Sequence, residues 1–96
     1  MAYLGVSITR VAGSWTANPN SGTFSSENGI TFTNNDPNND CKVWYSFGGS
    51  AEPDRVVAHG GGSFSIPVVN ANLSFTVTDT SVTTPPAMAH IIHVGN

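Results

Sequence analysis

The sequence predicts an all-β fold, an antiparallel β-sandwich of immunoglobulin-like or jelly-roll-like type with about seven to eight short strands. Three observations lead there. Apolar residues recur with period two along most of the 96 residues, the mark of strands that bury one face. No window repeats apolar residues at i, i+3, i+4 and i+7 for long enough to form a helix. Turn-forming runs separate the alternating segments: Ala17-Asn18-Pro19-Asn20-Ser21-Gly22, Asn34 through Asn39, Gly48-Gly49, Gly60-Gly61-Gly62, Asn70-Ala71-Asn72 and Pro85-Pro86. With no internal repeat and no linker, residues 1–96 read as one domain.

Leu4, Val6 and Ile8 alternate with Gly5, Ser7 and Thr9, a strand with its polar side out. A short apolar piece around Phe24 supplies a further strand candidate. Ile30 and Phe32 alternate with Thr31 and Thr33. Between the two, Asn28-Gly29 is the sequence of a tight type I′ hairpin turn. A two-residue loop there would pair Ser25 with Phe32 and put Phe24 on the face opposite to Phe32, because paired residues share a face. Either the loop is longer, a bulge intervenes, or Phe24 is not in that pairing. Cys41, Val43, Tyr45 and Phe47 share one face, with Lys42, Trp44 and Ser46 on the other. Arg55–Ala58 is another short candidate. Phe64, Ile66 and Val68 share a face, and Pro67, which donates no hydrogen bond, places their strand at a sheet edge. Leu73, Phe75 and Val77 follow. The last run, Met88 to Val94, is apolar on both faces.

Composition limits the function. Charged residues make up only 9% of the chain, three basic against six acidic, for a net charge of −3. That balance argues against nucleic acid or an anionic membrane surface as the main partner. No run approaches the roughly 18–20 apolar residues of a membrane helix. A single cysteine, Cys41, permits no disulfide within the chain and reads as a small buried hydrophobe. The N-terminus lacks a basic region followed by a sustained apolar run, so no signal peptide is expected, and the protein is expected to be made in the cytoplasm.

Several residues carry candidate chemistry. Asp36, Asn38 and Asp40 place oxygen ligands at alternate positions, like the first half of an EF-hand loop. Position six would be Cys41 rather than Gly, and position twelve Phe47 rather than Glu. Ca²⁺ would bind only if a distant carboxylate, Asp54 or Asp79, completed the shell; the plainer reading is an Asn/Asp turn with no cofactor. Trp44 points away from a core made by its neighbours, where it would stack on a sugar or anchor a protein contact, with Tyr45 beside it. The competing reading buries Trp44 against the second sheet or under the segment around Trp15. His90 and His93, three apart on a strand, face opposite ways and cannot both chelate one ion unless the strand bulges. His59 adjoins Gly60 with no spacing that demands a metal. No Gly-x-Ser-x-Gly elbow or P-loop is present, so no enzyme activity is expected. Asn72-Leu73-Ser74 matches a glycosylation sequon.

The segment Val56-Val57-Ala58-His59-Gly60-Gly61-Gly62-Ser63-Phe64-Ser65-Ile66-Pro67-Val68 resembles a recurrent passage of immunoglobulin-like sandwiches, where a strand ends in a glycine turn and restarts as Ser-Phe-x-Ile. Ile30 through Asn35, followed by Val43 through Phe47, fits consecutive strands from facing sheets. The resemblance is architectural and spans residues 30–79. In size and composition the chain is similar to head-decoration and tail-surface modules of tailed phages, and also to small microbial lectins.

The expectation that follows is a non-enzymatic module acting by homo- or hetero-association, most concretely a virion accessory protein. One lysine and one edge proline serve the whole chain, so its strand edges carry little protection against pairing. Ile91 and Ile92 in the two-faced apolar C-terminal run are the expected contact residues, in self-association or in docking to a larger assembly. The alternative is a carbohydrate-binding module using Trp44, Tyr45 and the Asn34–Asp40 loop, with a glycan as partner.

Overall fold

The period-two segments form ten β segments in a computed structural model that describes residues 3–68 and 70–95. The first two, β1 (Leu4–Val11) and β2 (Ser14–Asn18), make an antiparallel hairpin. Its two-residue loop, Ala12-Gly13, has φ values of 50° and 82°, the left-handed pair that a tight hairpin requires. A cis Asn18–Pro19 peptide then leads out of this sheet. The next strand, β3 (Ser21–Phe24), lies in the second sheet and runs parallel to β10 (His90–Val94). The chain returns to the first sheet in β4 (Gly29–Asn34), which lies parallel to β1 and antiparallel to β8 (Gly62–Pro67). The centre of the second sheet is β5 (Cys41–Phe47), paired to β9 (Ala71–Asp79) on one side. On its other side lies an edge broken into β6 (Ser50–Ala51) and β7 (Arg55–Val57). The orders are β2-β1-β4-β8 and β3-β10-β9-β5-β6.

Two expectations need correction. The sheets are mixed rather than purely antiparallel, because the chain changes sheet between β2 and β3 and again between β3 and β4. Those crossings bring β4 in beside β1, and β3 in beside β10, pointing the same way; a parallel neighbour always needs such a crossover. Asn28-Gly29 is not a hairpin turn. Phe24 and Ile30 belong to different sheets, so of the three ways out of the register conflict, the one in which Phe24 is not paired to β4 holds. Gly29 is instead the first residue of β4, opposite Pro67. A Cβ there would meet Pro67 Cα at 2.9 Å and Tyr3 Cε2 at 2.8 Å, so only glycine permits this approach. The edge position inferred from Pro67 is where β8 lies.

Alternation places one face of each sheet against the other. Val6, Ile8, Ile30, Phe32 and Ile66 from the first sheet meet Val43, Tyr45, Leu73, Phe75, Ile92 and Val94 from the second in one buried cluster. Phe32 sits at its centre, stacked on Phe64 at 5.3 Å and edge-on to Phe75 at 5.1 Å. Such ring pairs are worth about 0.5–1.5 kcal/mol beyond the area they bury.

Cys41 opens β5 inside this cluster at 0% exposure. Burial first, and the negative charges of Asp40 and Asp36 after it, push its thiol up to about 12. The thiolate is the reactive form, so the folded protein should resist alkylation by iodoacetamide at neutral pH and react only when denatured. Equal labelling with and without denaturant, followed by mass spectrometry, would contradict this placement.

Candidate functional site

The residues with chemical potential gather at one end of the two sheets, where β4 passes into the loop of residues 35–40. Asn34 ends β4 fully buried. Its Nδ2 donates to the carbonyls of Asn39 (2.9 Å) and of Val57 in β7 (3.1 Å), and its Oδ1 accepts from the Asp36 amide at 3.0 Å. Asp36 then turns the loop. Its Oδ2 accepts from the Asn38 amide (3.1 Å), the Asn39 amide (2.8 Å) and Asn39 Nδ2 (3.0 Å). This is Asx-turn chemistry, for which Asp and Asn are suited. The loop is tied to residues 58–62 by Gly60 N–H donating to Asp36 O and Gly61 N–H to Asn34 O, both at 2.8 Å. Asp40 Oδ1 receives both the backbone N–H of His59 (3.0 Å) and its ring Nδ1 (2.6 Å).

Facing this pair across an open cleft of about 370 Å³ are Arg10 near the end of β1 and Asp79 at the end of β9. Asn38, Asn39, Thr80 and Ser81 line the remainder. Trp15 of β2 braces that wall: its Nε1 donates to Asp79 Oδ1 at 2.7 Å, and its ring lies 5.9 Å from the Arg10 guanidinium. Arg10 Nε stands 3.8 Å from Asp79 Oδ1, too far for a hydrogen bond. That Nε is buried and has no hydrogen-bond partner among the described residues. Burial pushes the Asp36 carboxyl up, but its three N–H donors and the charge of Arg10 together hold it below its ordinary 3.8. The two His59 bonds hold Asp40 below the same value against a smaller burial effect.

Asp36, Asn38 and Asp40, the cation candidates, take part in the turn that the plainer reading gave them. Asp36 Oδ2 is taken by three N–H groups and Asp40 Oδ1 by His59. Of the distant acids, Asp54 Oδ2 lies 3.6 Å from Lys42 Nζ and Asp79 Oδ1 lies 3.8 Å from Arg10 Nε. Among the described residues, no group of three or more His, Cys, Asp and Glu could hold a metal ion. His90 packs against the Phe75 ring at 5.2 Å, and His93 Nδ1 lies 3.0 Å from Asn72 Oδ1. Thr80 and Ser81 share the cleft with the Asp40–His59 pair, but neither hydroxyl hydrogen-bonds His59 among the contacts of the described residues.

Trp44 and Tyr45 are not surface aromatics. Trp44 does sit on the outer side of β5, outside the core cluster, yet it is only 6% exposed. Lys42 places its Nζ 5.2 Å from the indole centroid, and Trp44 Nε1 donates to Thr78 Oγ1 at 2.9 Å. The same Nζ donates to the Val82 carbonyl at 2.7 Å, fastening the β9–β10 connection to this face. Tyr45 is 7% exposed and belongs to the core, edge-on to Phe47 at 5.7 Å. Ile91 and Ile92 separate by face: Ile91 is 58% exposed and Ile92 fully buried. Only the Asn34–Asp40 loop, of the residues expected to bind a ligand, reaches the cleft.

Arg10, His59 and Asp79 escape sequence reasoning because they are 20 or more positions apart and meet only through the topology. One signal was present. In a chain with three basic and six acidic side chains, Arg10, Asp40 and Asp79 are three of the nine, and they line one cleft. No protein-family model matches the sequence, and no curated protein matches it.

Both Asp36 and Asp40 are depressed in the folded state, so what they contribute is complete at neutral pH and lost as pH falls through 3.8 toward their folded values. Thermal melts across this range should therefore show Asp36→Ala less stable than wild type at neutral pH, with the two curves converging in acid. Curves that stay parallel would show that the Asp36 carboxylate is not what shapes the loop.

Proposed function

We propose that this chain is a non-enzymatic interaction module, an immunoglobulin-like sandwich that works by homo- or hetero-association. Its most concrete form is a phage-type virion accessory protein, a decoration or tail-surface module. The strand order favours the immunoglobulin-like type over a jelly roll. The β4–β8 pair in one sheet, with β5, β9 and β10 adjacent in the other, follows the B–E and C–F–G neighbours of that architecture. The parallel β1 and β3 pairings are additions to that pattern.

The observation that carries the functional reading is Ile91. It projects from the outer face of β10 at 58% exposure, with Ser74 of β9 opposite on one side and Ser21 of β3 on the other. Among the described residues Tyr3, Val11 and Val56 are exposed as well; Ile91 differs in standing between serines of two neighbouring strands, where a partner would bury it. Next to it, β3 is an outermost strand whose four residues, Ser21-Gly22-Thr23-Phe24, carry no charge and no proline. Its shortness is the only protection of the usual kind.

Of the sugar-binding alternative through Trp44, Tyr45 and the Asn34–Asp40 loop, the two rings are buried and the loop alone reaches the cleft. Association is tested by light scattering during size exclusion at tens of micromolar protein. The wild-type chain should elute as an oligomer or, mixed with its assembly partner, as a complex. Ile91→Asp should dissociate it with the melting temperature retained. Ile92→Asp should instead unfold it, since an unpaired buried carboxylate costs several kcal/mol, on the order of the whole stability of a small fold. A monomeric wild type whose stability and binding are both indifferent to Ile91→Asp would overturn the proposal.

A further inference from the structure

We propose that the cleft between Arg10, Asp79 and the Asp40–His59 pair is a binding site for a small neutral polyhydroxylated ligand, a mono- or disaccharide. The inference does not depend on association through Ile91, which lies on a strand that does not line the cleft. Its volume of about 370 Å³ falls at the small end of the roughly 300–1,000 Å³ typical of small-molecule sites.

The chemistry of the lining selects the ligand class. A simple anion attracted by Arg10 would meet the carboxylates of Asp40 and Asp79, and a cation attracted by those acids would meet the guanidinium. An apolar ligand would find no Phe, Tyr, Trp or aliphatic side chain among the lining residues. A ligand that carries donors and acceptors together, without net charge, satisfies both signs at once. Sugar hydroxyls are such groups. Each can donate to a carboxylate and accept from a guanidinium or amide, and hydrogen bonds to charged groups are the stronger kind.

The side chains also have capacity left. Each carboxylate uses Oδ1 for its internal bonds, to Trp15 in Asp79 and to His59 in Asp40. Their side chains remain 53% and 47% exposed. The Arg10 guanidinium is held by the Trp15 face rather than by a bidentate acid partner, so its donors are not consumed by Asp79. Asn38, exposed at the tip of its loop, adds an amide with both a donor and an acceptor. The site is also built in advance. Backbone bonds from Gly60 and Gly61 hold one wall, and the Trp15–Asp79 bond holds the other, so little ordering cost remains for binding.

The test is a two-dimensional amide NMR titration of the isotope-labelled full chain with glucose, galactose, mannose, N-acetylglucosamine, lactose and maltose, each carried to high millimolar concentration. At least one sugar should give saturable shifts confined to the amides of residues 10, 38–40, 59 and 79–81. With that sugar, Asn38→Ala should weaken binding several-fold and Arg10→Met at least tenfold. Because Arg10→Met could perturb the hairpin, Asn38→Ala, a change in an exposed loop side chain, is the decisive variant. Its spectrum outside the cleft should match wild type. Sodium acetate and calcium chloride are titrated in parallel. Silence across the whole panel, shifts mapping elsewhere, unchanged affinity in Asn38→Ala, or saturable cleft shifts with acetate or Ca²⁺ but not with sugar would overturn the proposal.

Discussion

One buried amide holds this end of the molecule together. Asn34 is the last residue of β4 and fully enclosed, yet every polar atom of its side chain is engaged. Through Nδ2 it ties the first sheet to β7 of the second, and through Oδ1 it starts the turn that Asp36 continues. Its own carbonyl receives the Gly61 amide, which brings the 58–62 loop against the 35–40 loop. A satisfied hydrogen bond of this kind contributes about 0.5–1.5 kcal/mol net, whereas a buried donor or acceptor left alone costs about 1–3 kcal/mol. An apolar residue in place of Asn34 would take a hydrogen-bond partner from the Val57 and Asn39 carbonyls and from the Asp36 amide. The wall of the cleft that carries Asp40 and His59 is built around that one side chain.

The rest of the fold explains why the interesting chemistry lies at the rim. A chain of 96 residues buries only about 60–65% of its extended surface, so the core is thin and must be packed without waste. Phe32, Phe64, Phe75 and Tyr45 fill its middle with ring contacts between 5.1 and 6.1 Å. Cys41 adds volume and no reactivity. With the interior committed to packing, polar groups are displaced to strand ends. Asp79 ends β9, Arg10 lies one residue before the end of β1, and Asp40 immediately precedes β5. The cleft is the place where those three strand ends meet.

What could be read in the sequence follows from what period two encodes. It encodes which face a residue takes, and the buried sets Val6 and Ile8, Ile30 and Phe32, Leu73 and Phe75 appear as alternation requires. It does not encode what lies over the outer face. Trp44 takes the outward side as its spacing demands, yet Lys42 and Thr78 enclose it, so β5 is buried on both sides from Val43 to Ser46. Nor does alternation encode which sheet a strand enters. Asn28-Gly29 looks like a hairpin in isolation, but Phe24 and Ile30 part to opposite sheets, and Gly29 is needed for its closeness to Pro67 instead. The loop at Asn34–Asp40 was visible as oxygen-rich. Its use was not, because the partners that direct its oxygens, Val57 and His59, are distant in sequence and enter through β7 and the turn after it.

The central claim, that Asn34 organises the two loops and the cleft they border, is tested most directly by amide hydrogen exchange on Asn34→Ala. The account predicts a variant destabilised by about 2–4 kcal/mol that still folds. Its exchange protection should be lost selectively at the Asp36, Gly60 and Gly61 amides and retained at Phe32, Val43 and Phe75. Wild-type protection at those three loop amides, or a uniform loss across both sheets, would contradict it.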